Sequence, residues 1–168
     1  MQSRRFLVVP LTLAWAVQIF WLSTEGFASD HSKSMLLGFL NLLHVNVSSE
    51  ILEVLNLILR KFAHVVEYAI LSILLYFLFL SCNRFVWRIR AAYWCVIGAS
   101  AYALTDECHQ IFVHGRGASI LDCLIDVTGA AAGMLVVYLC SQVIENQALA
   151  SDRQHDPLGM GEIRKQTF

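Results

Sequence analysis

The sequence predicts an all-α, polytopic membrane protein: a four-helix transmembrane bundle with short amphipathic helices on its outer side. Three observations carry this reading. Of 168 residues, 57% are hydrophobic and only 15% charged, with a mean hydropathy of +0.59; soluble domains sit near about 45–50% and about 25%. Four apolar runs reach the roughly 17–25 residues needed to cross hydrocarbon about 30 Å thick. Basic residues collect in alternate links, as expected of a chain that crosses back and forth.

The first run, "FLVVPLTLAWAVQIFWL", covers Phe6 to Leu22 and follows Arg4 and Arg5. It is longer than the apolar stretch of a usual secretory signal, and "GFASD" is a poor cleavage site, so it reads as a retained span. Pro10 lies in the first turn or two of that span, where proline is better tolerated. After it come "MLLGFLNLL" (Met35 to Leu43) and "SSEILEVLNLIL" (Ser48 to Leu59). These suit short amphipathic helices at the outer surface. Ser48 or Ser49 is placed to cap the second, which is free to run on into the next span.

The second span, Leu57 to Leu80, is charged at its start. The third, Ala91 to Val113, is polar near its end, and the fourth, Ile120 to Cys140, is polar near its start. Residues 1–141 therefore read as one transmembrane domain and 142–168 as a polar, flexible cytoplasmic tail. Arg4 and Arg5, then Arg84, Arg88 and Arg90, then Arg153, Arg164 and Lys165 fall on one side. The link between spans three and four holds only Arg116. Both termini are expected inside, as in a multi-pass membrane protein with an even number of spans.

That orientation puts the ionisable groups together. Lys61, His64 and Glu67 lie in the outer half of span two, with Tyr68 beside them. Asp106, Glu107 and Gln110 lie in the outer half of span three, and Asp122 and Asp126 in that of span four. Ser23, Thr24 and Glu25 leave span one at the same level. At about 100° per residue, His64 and Tyr68 share a stripe flanked by Lys61 and Glu67. Asp106 and Gln110 share a face. Asp122, Asp126, Gly129 and Gly133 share another, and its "GAAAG" stretch has the small-xxx-small spacing that lets helices approach closely. Span four is thus expected to pack against a neighbour through Gly129 and Gly133, along the face that presents its acids.

Charged groups inside hydrocarbon cost on the order of 2.5–3.5 kcal/mol each at a helix centre. Here Lys61 and Arg116 face Glu67, Asp106, Glu107, Asp122 and Asp126, so acids outnumber bases. Either some acids stay protonated or a cationic group compensates, with Arg60 and protonated His64 narrowing the gap. "HGRG", His114 to Gly117, reads as a tight turn that aims Arg116 at the acids or at an anionic ligand.

At these residues the chain resembles the VanZ-like family of small bacterial integral membrane proteins. "RKFAHVVEYAILSILL" is similar to the family's K-x-x-H-x-x-E-Y helix. "DECHQIFVHGRGASILDCLIDVTGAAAG" is similar to its D-E-x-x-Q…R…D-x-x-x-[ND]-x-x-G-x-x-x-G block, and "FWLSTEGFAS" to its serine-rich exit from the first span. Asp126 departs from the asparagine that many members carry, which adds an acid to the site. The resemblance implies a membrane protein whose namesake is associated with resistance to teicoplanin, and it supplies no reaction.

Two readings stand for each polar cluster. Lys61, His64, Glu67 and Tyr68 form either a ligand-contacting site or a buried network that sets helix register. Asp106, Glu107 and Gln110 either meet a ligand or make salt bridges to Lys61 and Arg116. His109 and His114 are expected at exposed rim positions. The tryptophans Trp15, Trp21, Trp87 and Trp94 suit interfacial belts or lipid contact. The five cysteines stand singly in apolar sequence without a CxxC pair, as small hydrophobes. No cofactor motif and no strict metal-ligand spacing is visible. With a net charge of −1 there is no basic field for nucleic acid.

The partners expected are the bilayer and a lipid-linked cell-wall precursor or anionic lipid. Three function classes stay open: binding or shielding of such a lipid, hydrolysis or transfer on a lipid-linked phosphate, and transport or proton relay through the intramembrane acids.

Overall fold

The computed structural model describes residues 2–23, 29–80, 87–111 and 119–155, with side chains over 6–23, 32–80, 87–111 and 119–151. Among the described residues there are five helices and no strand: α1 Gln2–Leu22, α2 Ser29–Leu42, α3 Ser49–Phe79, α4 Ile89–Gln110 and α5 Ile120–His155. Two of them, α3 and α5, are long and apolar enough to cross a membrane. Their outer faces expose large side chains such as Phe62, Phe79, Leu135 and Leu139, as a surface in contact with hydrocarbon does and a soluble domain rarely does.

α1 starts a turn ahead of its apolar run. Pro10 therefore sits in its third turn, deeper than expected, and denies the Phe6 carbonyl its helical partner. α2 is the first of the expected surface helices. It ends in a Schellman motif: His44 takes a left-handed φ of 56°, its N–H reaches the Asn41 carbonyl, and Val45 N–H reaches the Leu40 carbonyl, each at 3.0 Å.

The second surface helix and the second apolar run are one unbroken helix, α3, of 31 residues. Ser48 caps it, accepting from Ile51 N–H at 3.4 Å. At about 1.5 Å per residue α3 is roughly 46 Å long, about three turns more than hydrocarbon requires. The surplus first turns carry α2, tied by Lys33 Nζ to Glu53 Oε1 at 3.0 Å.

α5 also overruns its expected end. The stretch after Gln142, read from sequence as a flexible tail, continues as helix to His155. Residues 142–151 contain no proline or glycine to stop it.

α3 is the central helix and packs most extensively with α5, then with α4 and α1. One core cluster joins Ile19, Tyr68, Leu71, Ala99, Ala103 and Ala130; the other joins Tyr76, Ala92, Cys95, Met134 and Val137. Trp15 and Trp87 pack against these clusters rather than standing free, while Trp21 and Trp94 are exposed. Of the described cysteines Cys95 is buried, Cys123 half-buried, and Cys108 and Cys140 exposed, so burial does not hold for all of them.

Candidate functional site

Close packing of α3 on α5 sets the register of the site. A Cβ on Gly129 would lie 2.5 Å from the Val65 carbonyl oxygen and 2.9 Å from Val65 Cα. One on Gly133 would collide with the Ala69 carbonyl oxygen and Ser72 Oγ. Ser72 Oγ lies 2.9 Å from the carbonyl oxygens of both Ala69 and Ala130, bridging the two backbones. Residues rise together along both helices in these contacts, so α3 and α5 run parallel.

One and two turns nearer the start of α5, the same parallel register sets acids against bases. Asp122 pairs with Lys61 at a half-exposed position. Asp126, fully buried, has Oδ1 3.3 Å from His64 Nδ1, an ion-pair contact when the ring is protonated. The expected face of Asp122, Asp126, Gly129 and Gly133 is therefore the packing face, and its neighbour is the helix that carries Lys61 and His64.

α4 brings the other acids. Asp106 is buried and its Oδ2 accepts from Ser23 Oγ at 2.8 Å and from Gln110 Nε2 at 3.0 Å. Glu107 is also buried, and its Oε2 accepts from Ser119 N–H at 2.8 Å. Ser119 precedes the first residue of α5, so Glu107 satisfies a backbone donor at a helix start, where a negative charge also meets the positive end of the helix dipole. α1 is held against this group by Trp15 Nε1 donating to the Glu67 carbonyl at 3.0 Å and Tyr102 OH donating to the Ala16 carbonyl at 2.5 Å. His109 is half-buried and stacks on Phe20 with ring centroids 4.5 Å apart, closer in than the exposed rim expected for it.

Lys61, His64, Tyr68, Asp106, Glu107, Gln110, Asp122 and Asp126 thus gather at one end of the bundle. Glu67 lines an adjoining cavity of about 180 Å³ with Leu22, Ser23, Ser32, Arg60, Ala63 and His64. Arg116, His114 and the "HGRG" turn lie outside the described residues. Of the acids expected to answer Lys61, it is Asp122 that pairs with it, and not Asp106 or Glu107, because the parallel fit of α3 on α5 sets Asp122 opposite Lys61 and Asp126 opposite His64.

Ser32 and Arg60 line the cavity without having been candidate ligand groups. Ser32 stood in a loop segment with no motif. Arg60 had a usable signal: it lies four residues before His64, and thus on the same helix face.

The electrostatics are lopsided. Among the described residues, three carboxylate oxygens are buried with no partner, Asp106 Oδ1, Glu107 Oε1 and Asp126 Oδ2, while Asp126 Oδ1 has only the 3.3 Å contact to His64 Nδ1. The Tyr68 hydroxyl, at 0% exposure, is likewise unpartnered. A buried acceptor without a donor costs about 1–3 kcal/mol, more when charged. The inner wall of the cavity, Ser23 and His64, stands directly in front of Asp106 and Asp126. These carboxylates orient the groups that the cavity presents. Among the described residues, no three His, Cys, Asp or Glu side chains are arranged to hold a metal ion.

A family model described as VanZ/LLP1 matches residues 7–141. No curated protein and no solved structure matches the chain.

Proposed function

The chain belongs to the VanZ/LLP1 family, and from that premise we propose a multi-pass bacterial inner-membrane protein that binds or shields a lipid-linked component of the cell envelope. In this reading α1, α3, α4 and α5 all cross the bilayer, both termini are cytoplasmic, and the polar end of the bundle faces outward. Alternating arginine-rich links support the orientation. An altered susceptibility to teicoplanin is the cellular effect expected of it.

One observation carries the reading. The polar cluster has more buried acceptors than donors, and it backs onto a cavity with two potential cations in its wall, Arg60 and His64. A network built only to hold helices together is replaceable by apolar packing at little cost. A ligand head group changes that balance: phosphate or carboxylate suits Arg60 and His64, with Arg116 as a further candidate, and hydroxyl or ammonium donors suit the acids. The apolar tail of such a ligand stays in the bilayer beside the helices.

The test is lipid identification by mass spectrometry on gently purified protein. A phosphate-bearing, lipid-linked sugar is expected on the wild type and absent from His64→Gln and Arg116→Ala. Equal recovery from all three proteins refutes the reading.

A second reading, hydrolysis or transfer on a lipid-linked phosphate, is favoured by the placement of Asp126 behind His64. A carboxylate there holds an imidazole in one orientation, as a general base requires. Turnover of such a lipid by purified protein, lost in His64→Gln, is the outcome that selects it.

A further inference from the structure

The opposite end of the bundle holds an apolar groove of about 540 Å³ between α4 and α5. Its walls include Ile89, Tyr93, Met134 and Leu135, with Trp87 and Tyr138 at one end. It lies about four turns along α4 from Asp106 and shares no residue with the polar cavity.

The groove has a built end. Trp87 stacks on Tyr76 at a centroid distance of 5.7 Å and meets Tyr138 edge-on at 5.3 Å. Tyr76 OH accepts from Arg88 N–H at 2.8 Å, which pins the start of α4 to α3. Arg88 and Arg90, both exposed, stand on either side of Ile89, a groove-lining residue. Among the described residues α4 carries no acid before Asp106 and α5 none from Ala130 to Ser141; Glu145 stands two turns beyond Tyr138.

We propose that this groove is a binding site for a membrane phospholipid with an anionic head group. One acyl chain lies in the groove, and the phosphate meets Arg88 and Arg90 at the aromatic end. Two features select the occupant. The groove is lined almost wholly by apolar atoms, and the described charges that flank Ile89 at its aromatic end, Arg88 and Arg90, are basic. A basic pocket between membrane helices, with aromatic rings at the level of the head groups, is the combination that recognises anionic lipid. This site is separate from the polar end; it rests on the reading above that α4 and α5 cross the bilayer, and not on any ligand at the polar cavity.

The experiment is a native mass-spectrometry titration of the full chain in mild detergent with phosphatidylglycerol and, separately, phosphatidylcholine. One phosphatidylglycerol is expected per chain, bound about twenty-five-fold tighter than phosphatidylcholine, since each of the two arginines contributes roughly a factor of five. The double variant Arg88→Gln/Arg90→Gln should lower phosphatidylglycerol to the phosphatidylcholine level. Lys33→Gln, at the far end of the molecule, should change nothing.

Ala131→Trp fills the groove from an exposed helix position and should weaken both lipids. Should it fail to fold, Ala131→Leu replaces it. Soluble glycerol phosphate should not compete. Equal affinity for the two lipids, or a preference that survives the double arginine variant, overturns the proposal. So does full competition by glycerol phosphate, or a chain dimer that forms as lipid leaves the groove.

Discussion

Replacing glycine by alanine at two helix positions should move stability in opposite directions. In a helix interior the exchange favours alanine by about 1 kcal/mol, through backbone entropy. At Gly98 in α4 the new methyl meets only Leu75 Cδ1, at 3.6 Å, an ordinary contact. Gly98→Ala should therefore stabilise by up to about 1 kcal/mol.

At Gly133 the methyl collides with the Ala69 carbonyl oxygen, which belongs to backbone and cannot swing away, and with Ser72 Oγ. Overpacking costs about 1–3 kcal/mol. Parting the helices also stretches the Ser72 bridge to the Ala130 carbonyl, a hydrogen bond of net worth about 1 kcal/mol. After the propensity gain, Gly133→Ala should destabilise by about 1–3 kcal/mol.

The two variants should thus differ by about 1–4 kcal/mol, with opposite signs relative to wild type. Thermal unfolding of detergent-solubilised protein, followed by tryptophan fluorescence beside wild type, measures it. Gly133→Leu should go further and remove the protein from the membrane fraction. If Gly133→Ala melts at or above wild type, α3 and α5 do not meet through this face, and the register assigned to Lys61–Asp122 and His64–Asp126 falls with it.

Topology is tested by single cysteines in a background without the native ones. Position 32 should react with an impermeant maleimide on intact cells and position 152 should not, and the reverse pattern removes the outward-facing site. Glu67→Gln, Asp106→Asn and Arg116→Ala should each abolish the cellular phenotype at normal abundance; depletion in step with lost function would instead mark a structural network, whose broken pairs cost about 3–5 kcal/mol. Glu107→Ala should cost about 0.5–2 kcal/mol in unfolding, as loss of a helix cap does, and Glu107→Gln should restore most of it, since an amide oxygen can still accept from Ser119 N–H. A double-mutant cycle on Lys61 and Asp122 should give a coupling no larger than about 1 kcal/mol, because the side chains are 39% and 37% exposed.

Apolar run length, the clustering of ionisable residues at one end, and the common face of Asp122, Asp126, Gly129 and Gly133 are properties of single helices. Each follows from composition or from the turn angle per residue, so the sequence by itself determined them, together with a short helix over the 35–43 stretch and a serine cap at 48 or 49, of which the structure selects Ser48. The run-on of 49–59 into the second span was open to the sequence, but the extension of α5 past Gln142 to His155 was not legible, because helix propagation crosses a change of solvent without a stop signal. Pairing was decided only by tertiary structure. That Asp122 answers Lys61, Asp126 faces His64, Ser23 donates to Asp106 across 83 positions, and Glu107 caps α5 depends on the axial offset and rotation of helices against one another. A single glycine-to-carbonyl contact sets that offset, as at Gly133 and Ala69. A shift of one residue along α3 would turn every partner by about 100° and rewrite the list of pairs.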